Sequence, residues 1–230
     1  MKMRVRTFKD KAELTAAAVD ALSSAITATV ESRKPVGVML SGGSTPMAVY
    51  EAIAASPLAA PKALHLFMSD ERLVPFDSDK NNFHNTEPMF ERLGLPAERL
   101  LRVKTDLPAK EAATDYHQQV DDFLHKRSSI SLGFLGMGSD GHTASLFNDG
   151  DLARGKGKFA TWVDRPDGMQ GISVTPGLLN YVKHLVFLIS GADKKEMVQC
   201  LINEPMSIPA GQAIQYCQSV ELWLTEDAHA

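Results

Sequence analysis

ISLGFLGMGSDGHTASLF, residues 130–147, joins an apolar run to a glycine-rich turn that carries an aspartate and a histidine. The run at 130–135 predicts a buried strand, and loops at the carboxyl ends of such strands are where α/β enzymes place their chemistry. Asp140 and His142 lie two residues apart in the turn. Because imidazole titrates near neutral pH, His142 is the first candidate for a general base.

The composition indicates an ordinary globular protein, for which we expect a single domain over residues 1–230. The chain is 44% hydrophobic and 23% charged, and its net charge of −4 gives no bulk attraction to nucleic acid or to anionic membranes. The N-terminal segment is charged, without the apolar core of a signal peptide, and the apolar runs are too short to span a bilayer. The two cysteines lack metal-ligand spacing, which favours a reduced, cytoplasmic location.

Strand and helix signals alternate along the chain. Strands are predicted at residues 5–8, 36–40, 64–68, 130–135, 159–163, 172–175, 184–190 and 220–224, and helices at 11–30, 45–55, 82–93, 109–126 and 194–203. This alternation predicts an α/β fold with a mostly parallel sheet and helices on both faces. Two further expectations are a short helix at 142–147 and a mobile flap at 150–171.

The segment LSGGSTP, residues 40–46, lies between a predicted strand and a predicted helix. Gly42 and Gly43 allow a close backbone approach to a ligand, and Ser44 and Thr45 add hydroxyl donors at the start of the helix. This combination suits a phosphate group. A tight turn with a Ser or Thr helix cap explains the same residues, and the segment matches neither a Walker loop nor a dinucleotide fingerprint.

Charged residues follow two other strands. Arg72 could hold an anionic or carbonyl oxygen, and Asp70 could orient it or bind sugar hydroxyls, although a surface ion-pair cluster explains them as well. Lys194, after the strand at 184–190, could reach a phosphate, or it could be a solvated lysine. Asp140 could cap the helix at 142–147 or fix the tautomer of His142, whose imidazole a helix dipole would keep neutral.

The repetition of these turns favours a functional site. Four apolar strands each end in a polar or glycine-rich turn, and in a parallel sheet all four turns share one edge. Asp140 and His142 could otherwise be an ordinary helix cap and first-turn residue.

Four motifs in this order resemble the 6-phosphogluconolactonases: LSGGSTP, SDERLVP with Asn81 and Asn82, LGMGSDGHTASLF, and GADK. The resemblance implies a modified Rossmann-like α/β fold (NagB/RpiA/CoA transferase-like) and hydrolysis of a sugar-phosphate lactone, 6-phospho-D-glucono-1,5-lactone, without cofactor or metal. We expect a monomer or a weak homodimer. The resemblance implies that His142 is the catalytic base, that Asp70 and Arg72 line the sugar site, and that the phosphate is bound by Gly43, Ser44, Thr45 and Lys194. We further expect Asp140 and Arg72 to assist His142 in catalysis, and Gly42 and Asn82 to contact the substrate.

Two positions depart from the family pattern. Gly171 stands where an arginine that helps to bind phosphate is expected, so either Arg165 reaches in from the preceding loop or phosphate affinity is lower. Asn148 stands where proline is expected, which should change only the exit of the short helix. The alternative functions are a glucosamine-6-phosphate deaminase-like isomerase, which would carry Tyr in place of Arg72, and a non-catalytic sugar-phosphate sensor.

Overall fold

A computed structural model describes residues 3–229. Seven strands form one sheet: β1 (Met3–Phe8), β2 (Val36–Leu40), β3 (Leu64–Met68), β5 (Leu100–Leu101), β6 (Ser129–Leu135), β9 (Leu185–Ile189) and β10 (Val220–Thr225). Every neighbouring pair in this sheet is parallel, and the order is β1-β10-β9-β6-β2-β3-β5. The predicted mostly parallel sheet is therefore confirmed.

Helices cover both faces of this sheet. They are α1 (Lys11–Thr27), α2 (Ser44–Ala55), α3 (Asn82–Leu93), α4 (Ala109–His125), α5 (Asp149–Arg154), α6 (Pro176–Leu179), α7 (Lys195–Asn203) and α8 (Pro209–Ile214). One hydrophobic cluster joins α1, α2 and α3 to one face, and a second joins α4, α7 and α8 to the other. The spacing of apolar residues explains why these helices pack on the sheet. In α1, for example, an apolar residue recurs every four positions and is fully buried each time: Leu14, Ala18, Leu22 and Ile26.

A second, three-stranded antiparallel sheet packs beside the first. It consists of β4 (Asp70–Arg72), β8 (Gln170–Val174) and β7 (Ala160–Asp164), in that order. The sequence predicted the segments of β7 and β8 but not β4, since three charged residues show no apolar alternation. This small sheet brings the Asp70–Arg72 segment against the hairpin formed by β7 and β8.

Two local expectations are wrong. Residues 142–147 form turns and an isolated antiparallel bridge between Thr143 and Leu146. Gly141 (φ +80°) and Ala144 (φ +48°) lie in the left-handed region, which interrupts a right-handed helix. The segment 150–171, expected to be loop-like, instead contains most of α5, all of β7 and the beginning of β8, and its strands are paired within the small sheet.

The described part of the chain offers neither a bilayer-spanning helix nor a clustered metal site. Across residues 3–229 no helix is both long and apolar enough to cross a membrane. The same residues contain no group of three or more His, Cys, Asp or Glu side chains placed to hold a metal ion.

Candidate active site

The carboxyl ends of β3, β2, β6 and β9, which are neighbours in the sheet, surround a cavity of about 300 Å³. Ten residues singled out in the sequence line it: Gly42, Gly43, Ser44, Thr45, Asp70, Arg72, Asn82, His142, Arg165 and Lys194. Asp140 does not line the cavity but is hydrogen-bonded to His142. The volume lies at the lower end of the range found for small-molecule sites.

The turn after β2 presents the amino end of α2 to the cavity. Gly43 has φ +105°, which a side chain would disfavour, and α2 begins at Ser44. A Cβ atom on Gly42 would lie 2.3 Å from Oδ1 of Asn82, so only glycine fits between the turn and α3. The buried hydroxyl of Tyr50 donates to the carbonyl of Ser41 and accepts the N–H of Ser41, at 2.9 Å each. These two hydrogen bonds fix the start of the turn.

One lysine lines this cavity, and a second contacts the turn from outside it. Lys194 is 22% exposed at its side chain and pairs with Asp193 at 2.9 Å. Lys11, which sequence reasoning did not single out, donates from Nζ to Oγ of Ser44 at 3.3 Å. Its distance from the turn in sequence, 33 residues, left no local signal. The backbone amides and the two cations together make this end suitable for an anion.

Asp140 and His142 form a hydrogen-bonded pair after β6. Nδ1 of His142 is 2.5 Å from Oδ1 of Asp140, which also accepts the backbone N–H of His142 at 3.2 Å. Partial burial raises the pKa of Asp140, but the hydrogen bond and charge of His142 outweigh this and lower it below its ordinary value. With Nδ1 engaged by the carboxylate, the other ring nitrogen, Nε2, is the one left to take a proton.

Glycine is required beneath this pair. A Cβ atom on Gly138 would lie 2.2 Å from Nδ1 of His142 and 2.3 Å from Oδ1 of Asp140. The imidazole also packs against the ring of Phe147, with centroids 4.4 Å apart. Because no helix begins here, Asp140 is not a helix cap, and the expected dipole effect on His142 does not apply.

Asp70 and Arg165 are neighbours in the cavity wall and are joined through Ser145. Oγ of Ser145 donates to Oδ2 of Asp70 at 2.7 Å and lies 2.8 Å from Nη1 of Arg165. Nη1 of Arg165 is itself 4.0 Å from the same Asp70 oxygen. Oδ2 of Asp167 accepts hydrogen bonds from Nε and Nη2 of Arg165, both at 3.1 Å. The guanidinium also lies over the ring of Phe147, 5.3 Å from its centre. Arg165 is therefore held rigidly at the cavity wall.

Arg72 is oriented by the first residue of α3 and by the chain just before that helix. Its Nη1 donates to Oδ1 of Asn82 and to the carbonyl of Lys80, both at 2.9 Å. Nδ2 of Asn82 donates in turn to the carbonyl of Asp70 at 2.9 Å. Asp70, Arg72 and Asn82 thus act as one hydrogen-bonded unit at the cavity.

The structure shows why Gly171 and Arg165 occur together. Gly171 pairs with Arg72 in the small sheet, and a Cβ atom there would lie 2.9 Å from the carbonyl oxygen of Glu71 and 3.3 Å from Cδ of Arg165. An arginine at 171 would compete with Arg165 for space. Asn148 also has a different role from the one expected, since no helix exits there and its side chain caps α5 by accepting the N–H of Asp151.

The sequence interpretation missed Ser145 and Phe147 as individual participants. Ser145 is fully buried between Asp70 and Arg165, and the ring of Phe147 contacts both His142 and Arg165. Both residues belong to the motif TASLF, which follows the turn that carries Asp140 and His142. Their contacts depend on the β7–β8 hairpin and β4, which are remote in sequence.

Comparison with known proteins places these features in a family. A family model described as glucosamine-6-phosphate isomerases/6-phosphogluconolactonase matches residues 9–223. A 6-phosphogluconolactonase of Thermotoga maritima is 35% identical over 183 residues, which are 77% of this chain and 80% of that protein. A 6-phosphogluconolactonase of a Nostoc species is 33% identical over 202 residues, covering 85% of this chain and 83% of that protein.

The fold is shared as well. The crystal structure of a 6-phosphogluconolactonase from Thermotoga maritima superimposes with a TM-score of 0.81 at 29% identity. The match covers 97% of this chain and 99% of that one.

Proposed function

Because the chain belongs to the glucosamine-6-phosphate isomerase/6-phosphogluconolactonase family, we propose that it hydrolyses 6-phospho-D-glucono-1,5-lactone to 6-phospho-D-gluconate. One observation carries the proposal. His142, hydrogen-bonded to Asp140, lines the same cavity as a glycine turn at a helix amino end and the cations Arg72, Arg165 and Lys194. A phosphorylated lactone needs these two parts together, a base for water and a grip for the distal phosphate.

The phosphate end is assigned to the turn at residues 42–45. Backbone N–H groups at the start of α2 offer donors without intrahelical partners, and the helix dipole favours an anion there. Lys194 supplies a mobile positive charge by exchanging its partner Asp193 for the phosphate. Arg165 supplies the second cation from the β7–β8 hairpin, in the place that Gly171 leaves open.

His142 is the general base in the proposed reaction. Nε2 takes a proton from water as the water oxygen attacks the lactone carbonyl carbon, C1. Asp140 holds the tautomer that leaves Nε2 unprotonated and stabilises the imidazolium that forms. When the bond between C1 and the ring oxygen breaks, the imidazolium returns the proton to that oxygen, and the sugar chain opens.

Arg72 stabilises the charge that develops on the carbonyl oxygen. Its guanidinium is already fixed by Asn82 and the carbonyl of Lys80, so little reorganisation is needed when the oxyanion forms. Asp70, locked by Ser69 and Ser145, faces the sugar hydroxyls as an acceptor. No covalent intermediate is required, because a lactone is an activated ester.

The test is an assay of lactone disappearance. The phosphorylated lactone is generated in place, and its loss is followed with and without the protein to subtract spontaneous hydrolysis. A rate above the spontaneous one supports the proposal. Release of ammonia from glucosamine 6-phosphate, with no acceleration of lactone loss, would assign the deaminase-like alternative, and binding of 6-phosphogluconate without either activity would indicate a sensor.

A further inference from the structure

Glu71 is a buried acidic residue that the proposed reaction does not use. It is 2% exposed, and its carboxyl group accepts three backbone N–H groups. Oε1 accepts from Arg72 at 2.9 Å and from Asn82 at 2.7 Å, and Oε2 accepts from Phe83 at 2.8 Å. Both oxygens therefore have partners, which a buried carboxylate needs to offset its loss of hydration.

These contacts join β4 to the beginning of α3. Asn82 and Phe83 are the first two residues of the helix, whose amides have no partners within it. The next amide, of His84, is satisfied separately by Oδ1 of Asn81 at 2.9 Å. Two side chains thus share the capping of α3, and only one of them, Glu71, comes from the strand that also carries Asp70 and Arg72.

The position of α3 relative to β4 controls the cavity wall. Asn82 uses its side chain to bind Arg72 and the carbonyl of Asp70, and the same side chain abuts Gly42 of the proposed phosphate turn. A shift of the first turn of α3 would therefore displace three contacts of Asn82 together: those with the guanidinium of Arg72, with the carbonyl of Asp70 and with Gly42.

We propose that Glu71 is a positioning residue that aligns Arg72 and Asn82 for the substrate. This proposal rests on the function proposed above and deepens it. Asn81 provides a matched comparison, because it caps the same helix without bonding to Arg72 or Asn82 through its side chain. Loss of either cap should destabilise α3, but only loss of the Glu71 contacts should disturb the cavity.

The experiment compares Glu71→Gln with Asn81→Ala, each in the wild-type background and in an Arg72→Ala background. Steady-state kinetics give kcat/KM for the phosphorylated lactone, and thermal unfolding gives Tm. Glutamine keeps the shape of the side chain but replaces one acceptor oxygen by an NH₂ donor. In one orientation the NH₂ group faces the N–H of Phe83, and in the other it faces the N–H groups of Arg72 and Asn82. We expect Glu71→Gln to lower kcat/KM by about 10- to 100-fold, the scale of a misplacement near 1 Å.

The control and the double variants separate alignment from stability. Asn81→Ala should lower Tm and leave kcat/KM close to the wild-type value. In the Arg72→Ala background Glu71→Gln should cost much less than it does alone, because residues that act through one another are not additive. Glu71→Asp, which keeps the charge on a shorter arm, provides a second variant and should recover part of kcat/KM.

Two results would overturn the proposal. One is an equal loss of kcat/KM for Glu71→Gln and Asn81→Ala at equal loss of Tm. The other is an undiminished effect of Glu71→Gln when Arg72 is already alanine. Calorimetric titration with 6-phosphogluconate gives the Kd of each variant, which depends on the alignment of Arg72 and Asn82 but requires no turnover. A wild-type protein that binds this ligand but does not hydrolyse the lactone would therefore refute the proposed function, while the binding series still decides the role of Glu71.

Discussion

Replacement of Arg165 by alanine tests whether the cavity grips phosphate through this residue. A guanidinium has five N–H donors, and within residues 3–229 three of those of Arg165 are used, two by Asp167 and one by Ser145. The remaining donors belong to a side chain that is 11% exposed and already fixed. A hydrogen bond to a charged group contributes about 1.5–3 kcal/mol, so we expect Arg165→Ala to raise KM by about 10- to 150-fold.

The assay is steady-state hydrolysis of the phosphorylated lactone, with kcat and KM determined separately. A uniform loss of binding raises KM and leaves kcat nearly unchanged. The matched substrate is glucono-1,5-lactone without phosphate, for which Arg165→Ala should leave kcat/KM unaltered. The matched variant is Arg154→Ala, because Arg154 also packs on the small sheet, against Trp162, but lies outside the cavity.

Either of two outcomes would rule out Arg165 as a phosphate ligand. A rise in KM of less than about threefold would mean that the fixed guanidinium is not a phosphate ligand. A fall in kcat that is equal for both lactones, with KM unchanged, would move Arg165 from the phosphate to the reacting carbonyl.

Four other predictions follow from the same geometry. His142→Ala should lower kcat by about 10²- to 10⁴-fold and leave 6-phosphogluconate binding nearly intact, whereas His125→Ala, an exposed histidine on α4, should change neither in the same kinetic and calorimetric assays. Lys194→Ala should raise KM more than it lowers kcat; the opposite pattern in steady-state kinetics would place Lys194 in the chemical step. Gly171→Ala should lower the free energy of unfolding by about 1–3 kcal/mol, because the new Cβ atom crowds the carbonyl of Glu71. Calorimetry should show a fall in Tm of about 2–12 °C, and an unchanged Tm would contradict the crowding. Burial, reinforced by the charge of Asp70 and opposed by three backbone N–H groups, raises the pKa of Glu71 from 4.5 to about 7. The native state then binds this proton more tightly than the unfolded state, so up to about 3 kcal/mol of stability present below pH 4.5 is lost as the pH rises to 7, and Glu71→Gln should remove this slope from urea unfolding curves measured across that range.

The sequence by itself determined the parallel sheet and the general place of the site. Apolar strands that alternate with amphipathic helices leave few topologies open, and parallel strands put the turns after β2, β6 and β9 at one edge. Gly42 and Gly43 could also be anticipated near a ligand, because adjacent glycines between a strand and a helix allow a close backbone approach.

Local pattern failed where the backbone is shaped by distant partners. Residues 142–147 have the composition of a short helix, but Oγ1 of Thr143 donates to the carbonyl of Gly136, and the N–H of Ser145 donates to Oγ of Ser173. Those contacts, with the left-handed Ala144, hold the segment as turns. Asp140 and His142 therefore lie in a turn that is hydrogen-bonded to Gly136, directly after β6, and to β8, and not at a helix end.

Only the tertiary structure decided which polar groups pair at and behind the cavity wall. The carboxyl group of Glu71, the hydroxyl of Ser145 and the guanidinium of Arg165 lie in three separate stretches of chain, and each has at least one partner remote in sequence. A hydrophobic period records which face of an element is buried, but it carries no information about which polar group a buried donor or acceptor finds. For the turn that carries Asp140 and His142, the sequence identified the reactive residue types. The position of the segment that follows them depends on its contact with Ser173 of the small sheet.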